Sequence, residues 1–160
     1  MDKVTNVTVA GLGGQGVLKI TDILAEVLFD AGFDVKKSEV HGMSQRGGSV
    51  SSEVRYGKTV FSPMVPEGES DLLVILEPTQ VEVNIAKLRK DGILITTEDI
   101  PLAELPHPKA ANMMMLGALS KHFDLPEELW IKHMHRNLPE KVHAVNDEAF
   151  RIGRNGKDAK

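Results

Sequence analysis

The feature that most limits what this chain can fold into lies at its start. A β-branched run, Val4 to Ala10 (VTNVTVA), enters Gly11-Leu12-Gly13-Gly14-Gln15-Gly16 without a break. Val17, Ile20, Leu24, Val27 and Leu28 then recur at helical spacing. Strand, glycine turn and helix in that order satisfy the context that G-x-G-x-x-G requires. The glycines let backbone approach a phosphate, and the free N–H groups and dipole of a helix start favour that charge. Such turns also serve plain strand-to-helix packing, so both uses stay open. Gly32 reads as the helix stop and Phe33 to Val40 as the next extended segment, which makes the first forty residues one βαβ unit. Glu39 stands near where a ribose-binding acid would sit in a dinucleotide site.

Further on, Ser49 to Tyr56 alternates, with Val50, Val54 and Tyr56 on one side and Ser51, Glu53 and Arg55 on the other. Gly57-Lys58 is expected to turn it back into Thr59 to Ser62 as a hairpin. Pro63, Pro66 and Gly68 break the chain before Asp71 to Leu76, a continuous apolar run suited to a central parallel strand. Pro78 opens a predicted helix to about Lys90, Gly92 ends it, and Ile93 to Ile95 is expected to be a second buried strand. A proline-rich crossing over Ile100 to Lys109 precedes predicted helices over Ala111 to His122, Pro126 to Arg136 and Val145 to Ile152. This alternation predicts an α/β fold: a three-layer, Rossmann-like, mainly parallel sheet with a β-hairpin insertion. One domain is expected over 1–153, with 154–160 as a frayed polar tail.

Composition then removes whole classes of function. The 160 residues contain no cysteine, which excludes disulfides, thiolate zinc sites, Cys-ligated iron–sulfur clusters and cysteine nucleophiles. A net charge of −4 gives no basic field for nucleic acid, and aromatics at 4% give no stacking surface for bases. The start lacks a signal-peptide core and no apolar run reaches membrane-spanning length, so the expected location is cytoplasmic, away from membranes.

A second loop concentrates chemistry: His41-Gly42-Met43-Ser44-Gln45-Arg46-Gly47-Gly48-Ser49. Arg46 sets a planar five-donor cation beside backbone free to curl around a phosphate or carboxylate, and His41 can titrate near neutral pH. The competing use is a subunit contact in which both side chains find protein partners. The candidate cofactor-binding residues are therefore Gly11, Gly13, Gly14, Gln15, Gly16, His41, Gln45, Arg46, Gly47, Gly48 and Ser49. His133 and His135 point about 200° apart on a predicted helix, which argues against a shared metal. Met113, Met114 and Met115 read as gap-filling core, and Asn112 as the N-cap of the helix that follows. With no Ser/His/Asp arrangement and no paired carboxylates at suitable spacing, no catalytic residue is assigned to the chain.

In order along the chain, VTVAGLGGQGVL, SEVHGMSQRGGSVSSEVRYG, PEGESDLLVILEP, NMMMLGAL and NDEAFRIG resemble the gamma-type domain of 2-oxoacid:ferredoxin oxidoreductases, most closely its indolepyruvate branch. The resemblance implies a share in an enzyme that decarboxylates a 2-oxoacid on thiamine diphosphate. Electrons then pass through 4Fe–4S clusters to ferredoxin, and the acyl group is transferred to coenzyme A. Thiamine and clusters would belong to a larger partner subunit, through which ferredoxin is reached, while the loops 11–16 and 41–49 face coenzyme A. Alone, the chain is expected to be inactive and homodimeric. Similar subunits have a longer segment between Ile95 and Asn112, so this sheet is expected to be compact, short of one strand. Two other readings remain: a free-standing NAD(P)-dependent oxidoreductase using Gly11, Gly13, Gly16 and Glu39, and an adaptor with no ligand.

Overall fold

The computed structural model describes residues 3–41 and 48–156. A single five-stranded sheet organises them: β1 (Thr5–Leu12), β2 (Asp34–His41), β3 (Ser49–Gly57), β4 (Ser70–Ile75) and β5 (Leu88–Ile95), in the order β2-β3-β1-β4-β5. β1, β4 and β5 pair in parallel, whereas β3 runs antiparallel between β1 and β2. The helices are α1 (Val17–Asp30), a single turn α2 (Val81–Asn84), α3 (Ala111–Ser120), α4 (Glu127–Asn137) and α5 (His143–Asn155). The predicted α/β class with a mainly parallel sheet is the observed one.

Period-two alternation in the strands separates two faces. Val7, Val9, Val54, Leu72 and Val74 join Ile20, Leu24, Val27, the three methionines 113–115, Trp130 and Phe150 in one large apolar cluster. The predicted methionine core is borne out, each of the three being at most 1% exposed. On the opposite face a smaller apolar cluster of Ala10, Leu73 and Ile75 is covered by Val81, Leu88 and Leu94. Its layer consists of the short helical turns over 78–87. Within the large cluster α3 and α5 cross almost in backbone contact: a Cβ at Gly117 would stand 2.1 Å from the Phe150 carbonyl oxygen, and one at Gly153 1.9 Å from that of Met114. Only glycine fits at either position.

Several local expectations are corrected. β1, α1 and β2 are not a βαβ unit with adjacent strands, because β3 inserts between β1 and β2. The hairpin over Ser49 to Ser62 does not form; both edges of β3 are taken by β1 and β2, so 59–62 has no edge to pair with, and the hairpin is instead β2 with β3. The predicted helix from Pro78 to Lys90 breaks up after a few turns, since its β-branched residues are poor helix formers and Leu88 already pairs with Ser70. Gly92 thus lies inside β5, which is an edge strand with Ile93 42% exposed rather than a buried one. Finally, the last helix runs past the expected end at Ile152: α5 continues to Asn155, and Arg154 donates to Ser120 Oγ at 2.9 Å and to the Leu125 carbonyl at 3.0 Å, while 157–160 of the expected tail lie outside the described residues.

Candidate functional site

The carboxyl ends of β1, β4 and β5 and the amino end of β3 meet at one edge of the sheet. β1 and β4 are parallel neighbours, yet their outgoing connections take opposite faces: α1 packs in the large cluster and the turns 78–87 cover the small one. The boundary between β1 and β4 is therefore a topological switch point, where sheets of this kind open a crevice.

The glycine turn lies at that point and is fixed largely by one side chain. Gln15 Oε1 accepts the Leu12 N–H at 2.8 Å, and its Nε2 donates to Glu77 Oε2 at 3.0 Å, tying the turn to the end of β4. Both ends of Gln15 are thus engaged within the protein. Gly11 belongs to β1 itself, opposite Val50. Gly13 donates its N–H to the Gly48 carbonyl at 2.9 Å, which joins the turn to the end of the second candidate loop. Ser49, the first residue of β3, donates to Gln80 Oε1 at 2.8 Å. Gly16 has φ +85° at the start of α1, where no side chain caps the helix and its first turn carries no acid. The His41 side chain and residues Gln45, Arg46 and Gly47 lie outside the described residues.

On the far side of the turn a cleft of about 520 Å³ opens between Gly14, Gln15 and Gly16 and the segment Thr97 to Met115. Asn112 forms part of its wall. It is the second residue of α3 rather than the N-cap, and its Oδ1 accepts from the Met113 N–H at 3.0 Å. Its amide presses on the turn so closely that a Cβ at Gly16 would fall 2.2 Å from Nδ2. Thr97 and Lys109, also on the wall, were not singled out from the sequence, where the prolines around them read as a crossing. The signal that could have found them is the His107-Pro108 pair, whose imidazole caps the Lys109 N–H at 3.1 Å and starts the turn that leads into α3.

Other candidates are drawn elsewhere. Glu39 lies two strands away from β1, roughly 10 Å across the sheet, and pairs with Lys37, so it is not beside the turn as a ribose-binding acid would be. His133 faces Glu26 at 3.2 Å and Asp30 at 2.8 Å, whereas His135 faces Asp147 at 2.8 Å and stacks on His143 at 4.0 Å. No cluster of three metal-ligating side chains occurs among the described residues. His122, in a hollow between β5 and α3, is held below the ordinary histidine range by burial, with Lys121 adding repulsion. No helix among the described residues is long and apolar enough to cross a membrane.

Comparison with known proteins agrees with this architecture. The sequence pattern of the family described as pyruvate ferredoxin/flavodoxin oxidoreductase matches residues 6–156. The indolepyruvate oxidoreductase subunit IorB of Methanothermobacter thermautotrophicus is 34% identical, across 92% of this chain and 95% of its own length. Its counterpart from Thermococcus kodakarensis is 32% identical, across 92% and 93%. The first alignment runs over 187 positions, so about forty have no residue in this chain. Among solved structures, pyruvate oxidoreductase subunit PORC from Thermotoga maritima superposes with a TM-score of 0.75 at 22% identity, over 96% of this chain and 97% of that one. A 2-oxoglutarate:ferredoxin oxidoreductase from Magnetococcus marinus, with 2-oxoglutarate, coenzyme A and succinyl-CoA bound, gives 0.82 at 22% identity. That match covers 95% of this chain and 30% of the other. The chain belongs to the pyruvate ferredoxin/flavodoxin oxidoreductase family, as a gamma-type subunit.

Proposed function

We propose that this chain is the non-thiamine subunit of an indolepyruvate or arylpyruvate:ferredoxin oxidoreductase, which converts the 2-oxoacid to its acyl-CoA and reduces ferredoxin. The observation that carries the proposal is the match to two indolepyruvate oxidoreductase subunits along almost their whole length. Relatives named as 2-oxoglutarate synthase and pyruvate synthase subunits stand at 26% and 27% identity. Thiamine diphosphate and 4Fe–4S clusters are assigned to a larger partner subunit, in keeping with a chain that has no cysteine to ligate a cluster. Exposed apolar side chains, among them Phe61 (94% exposed), Met64 and Val40, support an assembled state and homodimerisation when the chain is alone. The fold places β3 between Glu39 and the glycine turn, which weighs against the NAD(P) reading.

The proposed part of this chain is to close the active site and contact coenzyme A through Gly11 to Gly16 and the loop from His41 to Ser49. Of these, the Gly13 N–H donates to the Gly48 carbonyl, which ties the glycine turn to the chain entering β3 and supports a joint role. The test is reconstitution with the co-purified partner and a panel of arylpyruvates, pyruvate and 2-oxoglutarate, with a viologen acceptor. The pure chain should be silent and the complex should prefer arylpyruvate; preference for another oxoacid changes the branch. Arg46→Ala should raise the coenzyme A KM about ten- to a hundredfold, the loss of one charge-assisted phosphate contact, and leave the thiamine-bound intermediate unaffected. An unchanged KM with failed assembly would move Arg46 to the subunit contact.

A further inference from the structure

The two edges of the sheet are not alike. β5, at one end, shifts register against β4 between Ser70 and Leu72, an irregularity of the kind that turns an edge away from further pairing, and it carries Arg89, Lys90 and Asp91 in a row. β2, at the other end, pairs with β3 without interruption from Asp34 to His41. No further strand among the described residues pairs with its outer backbone, and it contains neither proline nor glycine. Both faces hold β2 in shape. Lys37 Nζ meets Asp22 of α1 at 3.0 Å on one face. On the other, Asp34 accepts the Val60 N–H at 2.7 Å and Ser38 Oγ donates to the Pro63 carbonyl at 3.2 Å. The strand is thus a preformed edge with open backbone groups.

We infer that this edge pairs antiparallel with β2 of a second copy of the chain, about a two-fold axis at Ser38. The sequence of β2 selects that register. With Ser38 on the axis, Lys37 of each copy stands opposite Glu39 of the other, and Lys36 stands opposite Val40. Lys37 and Glu39 also meet within one chain, so the joint holds two lysines and two glutamates in alternation on the α1 face. Moving the axis to Lys37 opposes the two Lys37 side chains, and moving it to Glu39 opposes the two Glu39 side chains; both set like charges across the joint. An axis between residues would bring opposite faces of the strands together. Pairing at Ser38 joins two five-stranded sheets into one of ten strands, and it covers Val40, which is 56% exposed in the single chain. The inference rests on the homodimerisation proposed above and names its surface.

The experiment follows the mass of the full 160-residue chain by sedimentation equilibrium across a range of concentrations. The unaltered chain should dimerise. Glu39→Lys and Lys37→Glu should each raise the dimer dissociation constant about tenfold or more, because two axis-related pairs turn from opposite to like charges. An equimolar mixture of these two variants should associate again, since one copy then brings only acids to the joint and the other only lysines. Mixing cannot rescue a damaged fold, and the melting temperature of each variant controls for one. Should Lys37→Glu not fold beside Asp22, Glu39→Lys and Val40→Lys decide the matter, both at exposed positions; Val40→Lys sets a lysine opposite Lys36 and should weaken association likewise. The inference is overturned if folded Glu39→Lys and Val40→Lys leave the dimer intact, in which case homodimerisation stands through another surface. It is also overturned if the two folded charge variants dissociate and their mixture stays monomeric. An unaltered chain that is monomeric throughout removes homodimerisation and this inference together, and leaves the oxidoreductase reading to turnover of the reconstituted complex.

Discussion

The two faces of the one sheet are held by different physics. On the helix-facing side, Val7, Val9, Val54, Leu72 and Val74 disappear under α1 and α3, and dispersion with the hydrophobic effect does the holding. On the other side the segment after β3 is tied down by polar links. The Val60 N–H donates to Asp34 Oδ2 at 2.7 Å, and the Val65 N–H donates to Glu53 Oε2 at 3.0 Å. Arg55 reaches the Ser62 carbonyl at 2.8 Å and Asn6 Oδ1 at 2.9 Å. The lesson is about tolerance. The packed face should respond steeply to changes of volume, and the bonded face to the loss of single partners.

The largest effect is expected where the packed face is tightest. Gly153→Val forces a side chain into the Met114 carbonyl and should destabilise by roughly 3 kcal/mol or more, measured by urea unfolding. Leu24→Ala, fully buried in α1, should cost about 3 kcal/mol by leaving a cavity. Against these, Thr8→Val on the bonded face strands the buried Ser70 hydroxyl and should cost about 1 to 2 kcal/mol. Adding Ser70→Ala should recover part of that loss. If Thr8→Val proves as damaging as Leu24→Ala, the contrast between the faces is wrong.

Smaller still is the contribution of Asp34. The Val60 N–H, then Lys36, hold its carboxyl below the ordinary aspartate range. A folded-state value lower than the unfolded one means that its stabilisation is complete at neutral pH and is lost as pH falls through the ordinary carboxylate range toward the folded value. The acid limb of the stability profile should therefore flatten in Asp34→Asn, and a carboxyl NMR titration should put the Asp34 midpoint below that of an unstructured aspartate. At the bottom of the scale, Phe61→Ser changes an almost fully exposed side chain and should move the unfolding free energy by less than about 0.5 kcal/mol.

Wherever one element's own residues suffice to form it, sequence was enough: β1, α1 with its 3.6-residue apolar stripe, the methionine-filled α3 and the glycine turn between strand and helix. Even the two-sided character of β3 was legible, since Val54 is buried and Glu53 bonds on the opposite face. Which strand lies beside which was not legible, because pairing is a competition for backbone partners that no local pattern encodes. β3 could have turned back on 59–62; it lies between β1 and β2 because both of its edges find longer partners there. The same competition converted the expected helix end at Leu88 to Lys90 into an edge strand on β4. For the candidate site, the sequence determined that a glycine turn would join β1 to the start of α1. Tertiary structure decided what stands opposite it: Asn112 and Lys109 arrive from almost a hundred residues away because α3 packs its methionines under the sheet and so brings its first turn to the ends of β1 and β4.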